Sequence, residues 1–269
     1  MRRIKLAPLC AVLLLAAVAG GCTAFTKLKA RDQLNKGVQS YRNGQFQEAI
    51  EHFKTAVQLD PSLINARLYL ATAYAQQYVP GGDTAENTKT GEQAISAFED
   101  VLKLDEKNTT ALASIGQIYY NMKNFDKAKD FQRQRMQFEP NNPEPYYWIG
   151  VIDWAQAFQA DGKVRKDLNL MMPDKNGNLP PLPEKSRAPL AEQNGKLIDE
   201  GIEALNKALD LKPNDFNSMA YLNLLYRQKA DIEKNRADRE ADLKTAESWL
   251  QKSMDVRKAE PSTSSSQGS

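Results

Sequence analysis

Apolar positions recur three and four residues apart along most of the chain, and polar or proline-containing turns interrupt them. Ala49, Ile50, Phe53 and Ala56 form one stripe before Leu59-Asp60-Pro61, and Ala94, Ile95 and Phe98 form another before Leu104-Asp105. The arrangement returns from Ala128 to Glu139-Pro140 and from Gly201-Ile202 to Leu211-Lys212-Pro213. This spacing predicts amphipathic helices, and a proline just beyond the last apolar position predicts where they stop. Each stripe follows another helical stretch with its own apolar face, in residues 34–41, 68–74, 112–120 and 146–154. The chain therefore reads as all-α and built from helix pairs.

The pairs are related to one another. Gly37, Tyr41, Gly44, Phe46, Ala49, Phe53, Ala56 and Pro61 in residues 30–63 are echoed from residue 64 by Leu70, Ala71, Tyr74, Ala94 and Phe98. Residues 109–142 supply Ile115, Gly116, Tyr119, Phe125, Ala128 and Pro140; from residue 143 come Ile149, Gly150, Ala208 and Pro213. From residue 216 the echo is weakest, with Leu222, Tyr226, Ala246 and Leu250. This pattern resembles the tetratricopeptide repeat, a 34-residue helix–turn–helix unit. The resemblance implies a right-handed α-solenoid of about five units spanning residues 30–260. Small residues are expected where paired helices approach closely, and large ones such as Phe53, Phe98, Tyr74 and Tyr119 where pairs meet.

Three units are longer than the bare repeat. The turn between the paired helices, about 5 residues in the repeat, becomes residues 78–93, 157–200 and 230–245. Residues 156–168 and 229–244 have helical composition. The segment from Met171 to Leu190 carries Pro173, Pro180, Pro181, Pro183 and Pro189, which predicts an extended loop. The tail, residues 261–269, is Ser-rich and predicted to be disordered.

The first residues have a different character. Arg2, Arg3 and Lys5 precede 16 apolar or small residues, 6–21, ending at Ala19-Gly20-Gly21-Cys22. That is the layout of a secretory signal, and the run is short of the ~20 residues of a membrane span. Small residues just before a cysteine resemble the lipobox of bacterial lipoproteins, although Ala19 stands where that pattern prefers Leu. The resemblance implies cleavage after residue 21, acylation of Cys22, a tether over residues 22–29 and a periplasm-facing location in the cell envelope. Thr23 in place of Asp after the cysteine favours the outer membrane. Cleavage would remove three basic residues of 36 and none of the 34 acidic ones, leaving a net charge of −1. A near-neutral chain with interspersed signs offers no footprint for nucleic acid.

Catalytic chemistry finds little to work with. One His and two Cys exclude most metal and triad sites, and neither a P-loop, a Gly-x-Ser-x-Gly nor a Gly-x-Gly-x-x-Gly occurs. Asp174, Asn176 and Asn178 are spaced like the start of a calcium loop, but Leu179 and Lys185 stand where Gly and Glu belong. His52 is expected to face solvent, and the many carboxylates read as solvated helix faces. No cofactor, metal, small-molecule substrate or enzymatic activity is expected.

The resemblance does locate a partner-binding groove, on the first helix of each pair. Carried onto this chain it implies Tyr41 in the first unit, Asn65 and Tyr69 in the second, Gln117 and Tyr120 in the third. The fourth unit contributes Tyr147, Trp148 and Trp154, and the fifth Asn217, Tyr221 and Arg227. Four aromatics within nine residues, 146–154, exceed what a helix pair needs for itself, though the same rings could pack against the long insertion. Leu34 and Val38 occupy places where some members carry a carboxylate clamp, so recognition of a terminal carboxylate is not expected. The resulting expectation is a lipid-anchored envelope scaffold binding protein or peptide segments. The alternative is a regulator of an envelope enzyme acting through the Pro-rich insertion.

Overall fold

A computed structural model of the chain describes residues 7–173 and 179–259, with backbone alone for residues 7–22. Among the described residues there are ten α-helices and no strand: α1 Ala7–Arg42, α2 Phe46–Leu59, α3 Ile64–Ala75, α4 Ala85–Leu102, α5 Thr109–Asn121, α6 Phe125–Phe138, α7 Pro143–Asp167, α8 Glu184–Leu211, α9 Phe216–Ile232 and α10 Arg236–Ala259. No helix among the described residues is long and apolar enough to cross a membrane. The chain forms two compact units, one ending at Met122 and the other starting at Lys123.

Helix starts follow from local chemistry. Asn108, Asn124, Asn142 and Asp215 each accept a hydrogen bond from a backbone N–H of the first turn that follows, and Thr84 does the same for α4. Pro143 takes the first position of α7, where its missing N–H costs nothing. The turn between α1 and α2 needs a left-handed residue, and Gly44 supplies it at φ 76°. The corresponding place before α6 is filled by Lys123 at φ 59°, a conformation unfavourable for a residue with a Cβ.

In the first unit α1 packs on α2, α2 on α3, α3 on α4 and α4 on α5. Its core is apolar: Ala49, Ile50, Phe53 and Ala73, with Leu34, Val38, Tyr41, Leu70 and Tyr74 against them. The predicted small and large positions behave as expected, Ala71 and Ala94 being buried together with Phe53 and Phe98. His52 departs from expectation. It is part-buried, with Nδ1 2.8 Å from Gln33 Oε1, because the longer α1 lies over this face of α2.

In the second unit α6 packs on α7, α7 on α8, α8 on α9 and α9 on α10, and α7 also meets α9. Ala157, Ile198, Ile202, Leu205, Leu222 and Leu225 form its core. Gly150 lets α7 approach Leu205 of α8, and Gly201 of α8 lies close to both α7 and α9. A Cβ on Gly201 would lie 2.9 Å from Leu225 Cδ1 and 3.0 Å from Asp153 Cβ.

The long insertion is mostly helix. Residues 157–167 prolong α7 and residues 184–200 precede the repeat's own part of α8, leaving 168–183 as the connection. The expectation of an extended loop from Met171 to Leu190 is therefore corrected from Glu184 onward. Pro189 lies inside α8, where it forfeits a single hydrogen bond near the helix start. Leu182 and Leu190, 2% and 3% exposed, anchor the segment apolarly. The expected helix over 229–244 is broken at 233–235, where the Asn235 side chain accepts from Asp238 N and starts α10 afresh. Residues 23–29, read as a tether, are helical and continuous with α1. The side chain of Cys22, the calcium-like residues 174–178 and the tail 261–269 lie outside the described residues.

Candidate functional site

The second unit brings its share of the predicted groove residues together. On α7, Tyr147, Val151, Trp154 and Phe158 fall three and four residues apart and so share one face. On α9, Tyr221, Leu224 and Gln228 do the same. The two faces meet edge to face: Tyr147 and Tyr221 have ring centroids 5.7 Å apart at 78°, and Trp154 and Tyr221 5.3 Å apart at 72°. Trp154 then stacks on Phe158 at 5.3 Å and 24°, and Trp148 sits 5.7 Å from Tyr147. Edge-to-face and offset stacking are the favourable arrangements of ring quadrupoles. The result is a ladder of rings along the seam between α7 and α9.

Its rings are neither core nor fully exposed. Tyr147, Trp154 and Tyr221 lean on the apolar core and keep part of their surface outside. Burial pushes the Tyr221 hydroxyl pKa up, and a hydrogen bond from Tyr147 partly opposes it. Gln228 Nε2 donates to the Trp154 carbonyl at 3.3 Å, joining the two helices below the rings. A shallow recess at one end is lined by Tyr147, Asn217 and Lys212. A second recess, of about 150 Å3, lies at the other end against Trp154, Phe158 and Arg227. All six predicted groove residues of this unit thus lie on the ladder, beside it or at its two ends.

In the first unit the predicted positions are more dispersed. Tyr41 packs its ring edge-on to Phe46, 5.3 Å away, and Tyr69 stacks on Phe53 at 5.5 Å and 20°. Both rings are thereby accounted for by packing on α2, with Tyr69 still 38% exposed. Asn65 is exposed, and Gln117 and Tyr120 are half-buried on α5.

Beneath the ladder lie charged groups that contradict the reading of the carboxylates as solvated faces. Lys129 of α6, 5% exposed, reaches Asp153 of α7 at 2.6 Å and Glu200 of α8 at 2.9 Å, and Arg133 joins Glu200 at 2.5 Å. Arg165, fully buried, binds Asp161 at 2.7 Å, Asp231 of α9 at 2.7 Å and the Pro180 carbonyl at 2.8 Å. Burial pushes the Asp153 carboxyl up to about 7 despite Lys129, and Asp231 up to about 6 despite Arg165. Asp161 is raised for the same reason. Burial acts against Glu200 too, but hydrogen bonds from Lys129 and Arg133 outweigh it and hold its pKa low.

The signal for one of these was present in the sequence. Asp153 interrupts the apolar run Ile149-Gly150-Val151-Ile152 just before Trp154, where a solvated carboxylate is out of place. Arg165 and Asp231 carried no such mark. Phe158, which completes the ladder, lies in the insertion and so outside the repeat pattern. Among the described residues no group of three or more His, Cys, Asp or Glu is arranged to hold a metal ion.

Comparison with known proteins agrees with the repeat architecture. Residues 37–77 match the family described as TPR repeat, and residues 109–142 the one described as tetratricopeptide repeat. The chain therefore carries tetratricopeptide repeats. The Hsp70-Hsp90 organizing protein of Triticum aestivum is 27% identical over 115 residues, 43% of this chain and 18% of that protein. The interferon-induced protein with tetratricopeptide repeats 2 of Cricetulus griseus is 23% identical over 180 residues, 67% of this chain and 31% of its own length. The chain thus spans less than a third of these relatives. Among solved structures, MamA from Desulfovibrio magneticus RS-1 superposes with a TM-score of 0.57 at 19% identity, covering 87% of this chain and 98% of that one. YrrB, described as a TPR protein with an unusual peptide-binding site, superposes at 0.52 with 13% identity, covering 85% and 86%. At these identities the likeness concerns the fold.

Proposed function

We propose that the chain is a non-enzymatic scaffold that binds extended segments of partner proteins along the ring ladder of α7 and α9. The observation that carries this reading is the ladder itself. Tyr147, Tyr221 and Trp154, half-buried and held on the core, continue into the exposed ring of Phe158 as one line with a recess at each end. Rigid aromatics give contact area at low conformational cost, and Tyr and Trp add a hydrogen-bonding tip. That YrrB is described by its peptide-binding site, and that the wheat relative is named for organizing two chaperones, are consistent with a binding role.

The proposal extends to location. The basic start, apolar run and Gly20-Gly21-Cys22 favour export and acylation of Cys22, which would place the scaffold on an envelope membrane, with the outer membrane favoured. The test is capture of partners from solubilised membranes by the tagged full chain, compared with Tyr147→Ala/Tyr221→Ala and with Cys22→Ala. The reading expects a reproducible partner lost in the ring double variant, and loss of membrane fractionation in Cys22→Ala. Retention of every partner by the ring variant would discard the groove.

One observation supports the alternative, contact through the insertion. Met171 and Met172, in the connection between α7 and α8, are 47% and 80% exposed. Deleting residues 168–173 would abolish capture on that reading and leave it intact on the groove reading.

A further inference from the structure

Helix α1 runs past the end of the helix it packs on. Ala30 is its first buried residue among those described, and from there Leu34, Gly37 and Val38 turn toward α2. Before Ala30, every residue from Thr23 on is exposed except Thr26, which is half-buried and donates its hydroxyl to the Thr23 carbonyl at 2.9 Å. α2 ends at Leu59, and Asp60 just beyond it lies near Lys27 and Arg31. About two turns of helix thus project from the first unit with nothing packed on them. A helix without a packed face is marginal in water, and contact with a surface would stabilise it.

The overhang has a consistent chemistry. Phe25 and Leu28, three residues apart, share the side of α1 turned away from α2 and are 58% and 64% exposed. Lys29 covers the Phe25 ring, with Nζ 4.5 Å from the centroid. Between residues 22 and 38 there are four cations and one acid, and that acid, Asp32, is held by Lys36 at 2.8 Å. The Asp60 carboxyl beside Lys27 and Arg31 is held low chiefly by its hydrogen bonds from Ser62. Positive charge is left in surplus around two exposed apolar side chains.

These features together favour one occupant. A second copy meeting this face would set cations against cations, and two apolar side chains give too little area for a stable dimer. A bilayer surface with anionic headgroups suits both features, drawing the cations and taking up the apolar pair while the lysines reach back to the phosphates. Phe25 and Leu28 lie about 4.5 and 9 Å along the helix from Cys22. That is within the ~5–10 Å to which interfacial helices bury their apolar face. We propose that residues 22–31 form a rigid stem that inserts Phe25 and Leu28 into an anionic membrane surface, held there by Lys27, Lys29 and Arg31. The stem fixes the orientation of the first unit on that surface, which a flexible tether would not do. This rests on the reading that places the start of the chain at an envelope membrane, and it adds a contact that needs no lipid on Cys22.

Both cores lie beyond Ala30, so a chain starting at residue 22 with Cys22→Ala keeps them whole and lacks the apolar run and any lipid. The probes are vesicles of phosphatidylcholine, alone or with about a third phosphatidylglycerol, and the readout is cosedimentation. Binding to the anionic vesicles is expected to be about tenfold tighter than to the neutral ones. Phe25→Ser/Leu28→Ser should weaken it about tenfold, and Lys27→Glu/Lys29→Glu should remove the preference for anionic vesicles. All four side chains are exposed, so circular dichroism and the unfolding midpoint should not move. The emission of Phe25→Trp should shift to shorter wavelength on anionic vesicles, while that of Glu51→Trp, exposed on α2, should not. Equal binding to the two vesicle types, no binding to either, or binding unchanged in the Phe25/Leu28 variant would overturn the proposal. So would a dimer in solution that this variant dissolves. The mass of Cys22 in the exported full chain reports acylation separately: an unmodified cysteine would discard the lipid anchor and leave the vesicle result standing.

Discussion

The two compact units are made from the same repeat but are held together differently. In the first, a small residue on one helix packs with large ones on the next, as Ala73 does with Ile50 and Phe53, and Ser40 is its sole buried polar residue among those described. The second buries Lys129, Arg135, Asp153, Asp161 and Arg165, together with six neutral polar residues. Three of its five helices, α7, α8 and α10, run 25, 28 and 24 residues. A buried ion pair is sensitive to loss of one partner, because the other is left as an uncompensated buried charge.

That difference can be broken at its strongest point. Arg165→Met should destabilise the second unit by roughly 3–5 kcal/mol, because it leaves Asp161 and Asp231 buried without their shared cation. In the first unit a loss of similar size, about 3–5 kcal/mol, needs removal of an apolar side chain, as in Phe53→Ala. Chemical unfolding followed by region-resolved hydrogen exchange on the full chain would assign each loss to its unit. If Arg165→Met left exchange in α7 and α9 unchanged, the charged layer would have no structural role.

A smaller effect probes the close approach of α7 and α8. Gly201→Ala places a methyl against Leu225 and Asp153 and should cost about 1–3 kcal/mol, read as a lower unfolding midpoint. The penalty should shrink in Gly201→Ala/Leu225→Val, which makes room for the methyl, while Leu225→Val alone is destabilising.

Acidity sharpens the comparison further. Asp153 and Asp231 bind protons more tightly in the folded chain, at about 7 and about 6, than in the unfolded chain, where an aspartate has an ordinary value of 3.8. Their contribution is therefore fully present below the unfolded value and is lost as pH rises from about 4 to about 7. Glu200 and Asp215, whose values are lowered, act oppositely and lose their contribution as pH falls below the ordinary carboxylate range. Exchange from α7 and α8, corrected for intrinsic rates, should be slower near pH 5.5 than at pH 8. Asp153→Asn should flatten that dependence, and a dependence unchanged by it would assign the effect elsewhere.

The smallest expected change is a gain. Gly44 and Lys123 occupy equivalent turns, and Lys123 holds a left-handed conformation that suits glycine. Lys123→Gly should stabilise by about 0.5–1 kcal/mol, while Gly44→Ala should cost about as much. Thermal midpoints of the two variants moving in the same direction would contradict the assignment.

Much of the fold could be read from spacing. The helix pairs, their caps at Asn108, Asn124, Asn142 and Asp215, and the small–large alternation are all local signals. The helical character of residues 156–167 was legible in composition, whereas that of 184–190 was not, because Pro189 argues against a helix unless its place near the helix start is known. In the candidate site, Tyr147 and Trp154 stood out as surplus aromatics, and Tyr221 as a groove position that the resemblance implied. Phe158 and Gln228 did not, since Phe158 lies in the insertion beyond the repeat pattern and Gln228 acts on the Trp154 carbonyl 74 residues away.

Periodicity, proline stops and capping residues are properties of a few consecutive residues, and they suffice to specify helices and to pair each with its successor. Whether a charged side chain is solvated or buried depends on what lies across from it, and that comes from residues far away in the chain. Asp153 finds Lys129 from 24 residues before, Lys129 in turn finds Glu200 from 71 after, and Arg165 finds Asp231 across the whole of α8. The same holds for the recess at the end of the ladder, whose walls belong to segments about 70 residues apart and exist only once those segments pack.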